Sequence, residues 1–304
     1  MSIFNLISFN DTIQDIDVQT ADTGISVNNI SVVYKNGHQA LKNISFDIPK
    51  GSITALVGVN GSGKSTLFNA IMGFVPCCTG QVNILGLSVK HSLKQNRIAY
   101  VPQNENIDWD FPVLVEDVVM MGRYGHMNFM RQAKASDYQA VDNALTRVNM
   151  QAFKHRQIGE LSGGQRKRVF LARALAQRSE VILLDEPFTG VDVTSEEQII
   201  SLLKTLALEG KIILVSTHNL GSVPGFCEYT ALINQHLLAF GKTAKVFTSA
   251  NLQKAFGPVL RRFVLEGQAL HEDEDNRAVT VLTDDERPVV LYGEKGVEHL
   301  ANRH

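Results

Sequence analysis

Apolar residues recur along this chain at two spacings, and the change from one to the other divides it. Near the N-terminus GISVNNISVVYKNG alternates and closes at the Asn36–Gly37 turn; QALKNISFDIPKG follows and closes at Gly51. Such runs predict strands of an antiparallel β portion. SITALVGV is a short apolar strand, succeeded by a Gly-rich loop and the helix KSTLFNAIMGF. QVNILGLSV and RIAYVPQ add further strands. After Pro112 the spacing changes. VLVEDVVMMGRYG and ASDYQAVDNALTRVNM read as helices, with Val141, Ala144, Leu145 and Val148 at helical intervals. Then come a cationic helix over Gln165–Arg178, the strand EVILLDEP, the helix SEEQIISLLKTLALEG, the strand KIILVSTH and a closing strand in YTALINQHLLAFG. Strands alternating with helices predict an α/β fold whose mainly parallel sheet carries helices on both faces.

The ends are less regular. Residues 1–24 are polar with isolated apolar anchors and are expected to form an extension. Beyond Gly241, TAKVFTSANLQKAFG predicts one or two short helices. The last stretch sets β-prone AVTVL and PVVLY among acidic HEDEDNR and TDDERP. A small β appendage and a partly disordered acidic tail both fit that pattern. An acidic run of this kind is more often a solvated surface than a metal sensor.

The chemistry is concentrated at the loops that follow the strands. GVNGSGKST, Gly58–Thr66, has the form GxxxxGKS in the strand–loop–helix context that form requires. Glycines let consecutive amides turn toward phosphate oxygens, and the helix N-terminus adds favourable charge. Gly58, Asn60, Gly61, Ser62, Gly63, Lys64, Ser65 and Thr66 are therefore candidate nucleotide contacts. Lys64 is suited to the β- and γ-phosphates and Ser65 to magnesium. Asp185 ends the strand VILLD and suits the metal, directly or through water; Glu186, next in line, can polarise an attacking water. Gln103 follows IAYVP and could reach magnesium or that water. His218 follows ILVST and could touch the γ-phosphate or orient Glu186. Tyr34 could stack on adenine. Taken singly, each of the last three also fits a structural role. Ser162, Gly163 and Gly164 open the cationic helix and form a second anion-binding helix start. Two opposed copies of the chain could each offer it to the nucleotide held by the other.

Composition narrows the class. The chain has 304 residues, 44% hydrophobic and 20% charged, as in a globular protein of one main domain with an appended part. No apolar stretch reaches the roughly 18 residues of a membrane span, and the first twenty residues contain no lysine or arginine of the kind that opens a secretory signal. A cytoplasmic protein is expected. Cys77, Cys78 and Cys227 have neither disulfide-framework nor zinc-site spacing. A net charge of −2 argues against a dedicated nucleic-acid surface.

Taken in order, these motifs resemble the ATP-binding subunit of ABC transporters, over residues 26–240. The resemblance implies a P-loop NTPase with a RecA-like core, an antiparallel β subdomain and a helical subdomain at about 104–160, inserted in an ATPase domain spanning 25–240. Residues 241–304 form a C-terminal extension. It implies ATP and Mg2+ as ligands, Tyr34 as the adenine-stacking aromatic, Gln103 as the Q-loop glutamine, and Ser162, Gly163, Gly164 and Gln165 as the LSGGQ signature. Asp185 then holds magnesium, Glu186 is the catalytic carboxylate and His218 the switch histidine. Asp192 falls in the D-loop, although TGVD departs from the commoner SALD. Such subunits pair as homodimers that sandwich two ATP molecules, the phosphate loop of one facing the signature of the other.

A narrower likeness lies in NENIDWDFPVLVEDVVMMGRYG (104–125) and STHNLGSVPGFCE (216–228). Both resemble ATPases of bacterial importers for manganese, iron or zinc, and DWDFP is closer to the manganese and chelated-iron branch. Implied partners are polytopic permease subunits and, indirectly, a periplasmic or surface metal-binding protein, with no nucleic acid. The expected location is the cytoplasmic face of the membrane. Trp109, Phe111 and Pro112 equally suit simple packing. A zinc importer or another ABC transporter is the alternative. A soluble ABC ATPase is disfavoured by the single phosphate loop and the lack of a long heptad insertion.

Overall fold

The computed structural model describes residues 22–103 and 112–257 and, beyond them, the backbone of three strands. Strands β1 (Thr23–Val33) and β2 (Gln39–Pro49) open it. They pair antiparallel from Thr23↔Pro49 to Val33↔Gln39 across the Asn36–Gly37 turn. There follow β3 (Ile53–Val57), α1 (Lys64–Ile71), β4 (Thr79–Ile84), β5 (Leu87–Ser88), α2 (Val89–Lys94) and β6 (Ile98–Val101). Three helices come next: α3 (Val115–Met121), α4 (Ala135–Arg147) and α5 (Gly163–Ala176). The chain continues through β7 (Val181–Asp185), α6 (Val193–Leu208), β8 (Ile212–Thr217), α7 (Val223–Phe226), β9 (Tyr229–Asn234), β10 (His236–Lys242), α8 (Thr243–Val246) and α9 (Ser249–Phe256).

Six strands form the central sheet in the order β10-β9-β3-β8-β7-β6. All its pairings are parallel except the β9–β10 hairpin at one edge. Both faces are covered, which is why these strands read as continuous apolar runs. Ala55, Ile182, Leu184, Ile213 and Val215 point into one core with α5 and α6. Leu56, Val181, Leu183, Ile212 and Leu214 point into the other, with Leu67, Phe68 and Ile71 of α1. That second face is shared with a four-stranded antiparallel sheet, β2-β1-β4-β5.

The helical region builds its own extension of the first core. Val115, Val118 and Val119 of α3 meet Val141, Ala144 and Leu145 of α4 and Val169 and Phe170 of α5. A buried ion pair joins its ends, Arg123 Nε donating to Asp137 Oδ1 at 3.0 Å. Arg123 also donates to the Ala176 carbonyl at 2.8 Å, and Asp137 Oδ2 accepts the Lys134 amide at 3.0 Å. One guanidinium thus ties the turn after α3 to the start of α4 and the end of α5.

Several boundaries differ from expectation. QVNILGLSV is two strands, because Leu85 and Gly86 both take left-handed backbone (φ 52° and 77°) and fold β5 back on β4. YTALINQHLLAFG likewise reverses at Gln235 (φ 59°) into the β9–β10 pair. The cationic helix starts at Gly163, inside the glycine pair, and α2 had no clear apolar period to announce it. At the C-terminus β11 (Arg261–Leu265), β12 (Val279–Thr283) and β13 (Val289–Tyr292) form a separate antiparallel sheet. Residues 1–21, the run NENIDWDF and the acidic HEDEDNR lie outside the described residues.

Candidate nucleotide site

Four neighbouring parallel strands, β3, β8, β7 and β6, carry the phosphate loop, Gln103, Asp185, Glu186 and His218 at their C-terminal ends, where sheets of this class bind ligands. The phosphate loop follows β3, His218 follows β8, Asp185 closes β7 with Glu186 behind it, and Gln103 follows β6. Between them opens a cleft of about 510 Å³, lined among others by Tyr34, Asn60, Lys64, Gln103, Glu186 and His218.

The loop has the backbone that its glycines make accessible. Gly63 sits at φ 101°, and a β-carbon there would lie 2.8 Å from the Ala40 carbonyl oxygen. One at Gly58 would lie 2.3 Å from the Ile233 carbonyl oxygen. Lys64 turns back on this loop, its Nζ donating to the carbonyls of Gly58 at 2.7 Å and Val59 at 3.2 Å. Burial lowers the Lys64 pKa, against the opposing pull of Glu186 and Asp185. The Ser62 hydroxyl is buried and makes no hydrogen bond. Tyr34 is 37% exposed at the rim, and its hydroxyl lies 3.0 Å from Thr66 Oγ1.

Glu186 is the hub. Gln103 Nε2 donates to its Oε2 at 2.6 Å, Thr189 Oγ1 donates to the same oxygen at 3.3 Å, and His218 Nδ1 lies 3.2 Å from Oε1. Its backbone is left-handed, at φ 49°, a conformation costing an L-residue roughly 1–2 kcal/mol. Asp185 accepts from the Ser216 hydroxyl at Oδ1 and from Tyr100 at Oδ2, the latter at 3.5 Å. Burial raises the Asp185 pKa, offset in part by the Ser216 hydrogen bond.

These residues fit magnesium–ATP by their chemistry. The lysine and the loop amides suit phosphate oxygens. Ser65, Gln103 and Asp185 offer the oxygen ligands that a hard divalent cation takes alongside phosphate and water.

Ser162, Gly163, Gly164 and Gln165 stand apart from this cleft within one chain. Gln165 Oε1 accepts the Ser162 amide at 3.0 Å while Ser162 Oγ accepts the Gln165 amide at 3.3 Å, a reciprocal cap that starts α5. Asp192 caps α6, its Oδ1 accepting the Ser195 amide at 2.9 Å. The two helix starts pack together: a β-carbon on Gly164 would lie 3.1 Å from Asp192 Oδ2. Reasoning from sequence missed Tyr100, Thr189 and Ser216. The sole hint for the last was a serine after the apolar run Ile212–Val215.

The ABC transporter family model matches residues 41–189. The chelated iron transport system membrane protein YfeB of Yersinia pestis is 60% identical over 88% of this chain and 90% of its own length. The chain belongs to the ABC transporter ATP-binding family. The manganese transport ATP-binding protein MntA of Synechocystis is 56% identical over 77% of this family member and 90% of its own length. A solved metal-chelate type ABC transporter in an inward-facing conformation matches at TM-score 0.72 and 30% identity. That match covers 89% of this ABC subunit and 98% of the other chain. The RecA-like core, antiparallel sheet and helical region described above are the fold of that family. Among the described residues no helix is long and apolar enough to cross a membrane.

Proposed function

We propose that two copies of this ABC subunit close over two ATP molecules and drive permease subunits that import manganese or chelated iron. The support for the cargo is the 60% identity to the chelated iron transport protein over 88% of the chain. Zinc is the second reading, since the zinc transport ATP-binding protein TroB of Treponema pallidum is 40% identical over 79% of the chain.

In this reading Lys64 leaves the Gly58 and Val59 carbonyls for the β- and γ-phosphates. The Asn60–Thr66 amides and hydroxyls surround them, and Tyr34 stacks on adenine. Ser65, Asp185 and Gln103 hold magnesium, which when bound draws charge off the phosphate oxygens. Glu186 takes the proton of the attacking water, and His218, at its other oxygen, keeps the carboxylate oriented. The partner copy supplies Ser162, Gly163, Gly164 and Gln165 to complete each site, with Asp192 at the contact between copies. The subunit works on the cytoplasmic face of the membrane, a periplasmic or surface protein delivers the metal, and nucleic acid has no part.

Uptake of manganese, iron and zinc by cells with and without an intact chain tests the cargo. Loss of manganese or iron accumulation is expected. Loss of zinc alone would transfer the assignment to the second reading, and no change in any metal would reject metal import.

A further inference from the structure

We propose that Ser216 is a positioning residue that ties the metal carboxylate Asp185 to the hydrolytic carboxylate Glu186. The inference rests on the roles given to those two residues above. Ser216 is fully buried in β8, whose six residues are all buried. A hydroxyl in such a place is unfavourable unless it is hydrogen-bonded. The parallel register puts Ser216 opposite Asp185 on the last rung between β7 and β8.

Three contacts follow from that rung. The Ser216 hydroxyl donates to Asp185 Oδ1. The same hydroxyl oxygen accepts the Glu186 amide at 3.2 Å, and the Ser216 carbonyl accepts that amide at 3.1 Å. The direction is set by chemistry. A backbone amide only donates, so the hydroxyl receives from Glu186 and spends its one proton on Asp185. The double anchor on the amide also pins the left-handed backbone of Glu186, a conformation that persists only when its surroundings over-determine it. Tyr100, on the other Asp185 oxygen, completes the clamp. Asp185 is thus oriented by hydrogen bonds from the protein itself, and the side chain that follows it is aimed by the same residue.

The full-length chain is titrated with a fluorescent ATP analogue with and without magnesium, and turnover is measured alongside. Ser216→Ala should leave magnesium-free binding unchanged and cut the tightening that magnesium gives by about ten- to a hundredfold, as for other groups that orient a metal ligand. Ser216→Thr keeps the hydroxyl and should retain most of the tightening. Ser216→Val has the shape of threonine without the hydroxyl and should lose it. This pair decides the matter even if the alanine variant fails to fold. Equal behaviour of the threonine and valine variants, or tightening in Ser216→Ala within about twofold of the parent, would overturn the proposal. Asp185→Asn in the same assay separates the two levels. If it loses the magnesium effect while Ser216→Ala keeps it, Ser216 alone is removed from the role. If Asp185→Asn keeps the effect, the metal assignment falls and this inference with it.

Discussion

Gln103 and Glu186 meet across the nucleotide cleft, Nε2 donating to Oε2 at 2.6 Å. The residue just beyond the end of β6 therefore holds the carboxylate that follows β7. Replacing Gln103 by Ala removes a hydrogen bond to a charged acceptor, worth about 1.5–3 kcal/mol. Turnover should fall about tenfold or more with magnesium-free nucleotide affinity nearly kept, as measured by comparing steady-state hydrolysis with equilibrium binding. An equal loss in both would place Gln103 in ground-state binding instead.

Glu186→Gln keeps the shape and loses the base. Hydrolysis should slow by about 10²–10⁴-fold, the usual contribution of a positioned proton acceptor. ATP should remain bound in a trapped pair of subunits, visible by size-exclusion chromatography. Near-normal turnover in the reconstituted transporter would remove the residue from that role.

Lys64→Ala should weaken ATP binding by about 10–100-fold, the equivalent of one lost charge-assisted contact. Burial already disfavours the charged lysine, and the Glu186 and Asp185 carboxylates partly restore it. The proton is therefore lost below the ordinary lysine range, and nucleotide affinity should decline as pH rises through that lowered pKa. Glu186→Gln removes one of the restoring charges. It should move the decline to still lower pH, which binding titrations across the alkaline range will register.

Ser162→Arg fills the signature with a bulky cation. Combined in one mixed pair with a Lys64→Ala subunit, it should leave one composite site intact and one doubly defective. Trapped ATP should then amount to about half that of the parent. Equal occlusion at both sites contradicts the crossed arrangement.

Asp137→Ala strands the buried Arg123 guanidinium and should cost about 3–5 kcal/mol of stability, read from denaturant unfolding. The Lys134 amide first, and Arg123 after it, hold the Asp137 carboxyl below the usual carboxylate range. Its contribution is present at neutral pH and lost as pH falls through the depressed pKa. The variant should therefore lose less stability on acidification than the parent.

The phosphate loop was legible because its whole chemistry is contiguous: glycines, lysine and serine act through one strand, one turn and one helix start. Gln103, Asp185, Glu186 and His218 were legible as candidates for a related reason, each lying at or just beyond the end of an apolar run that reads as a buried strand. Ser216 was not. Its partner across the rung is far away in sequence, and only the β7–β8 register brings them together. The sequence likewise predicted Ser162 and Gln165 as ligand contacts but not their reciprocal cap, nor Asp192 as the start of α6. Hairpins at Leu85–Gly86 and Gln235 escaped notice because Leu85 and Gln235, left-handed without being glycine, carry little local signal.

Lys167, on the first turns of α5, donates its Nζ to the Gln103 carbonyl at 2.6 Å. Helix α5, which displays the signature, is thereby hydrogen-bonded to the residue whose side chain reaches Glu186. In the crossed pair proposed above, a nucleotide at the start of α5 would therefore sit one hydrogen bond away from the residue that holds the carboxylate of the other site. That proposal thus gives one short path, Ser162 to Lys167 to Gln103 to Glu186, joining a chain's contact with its neighbour to its own hydrolytic carboxylate.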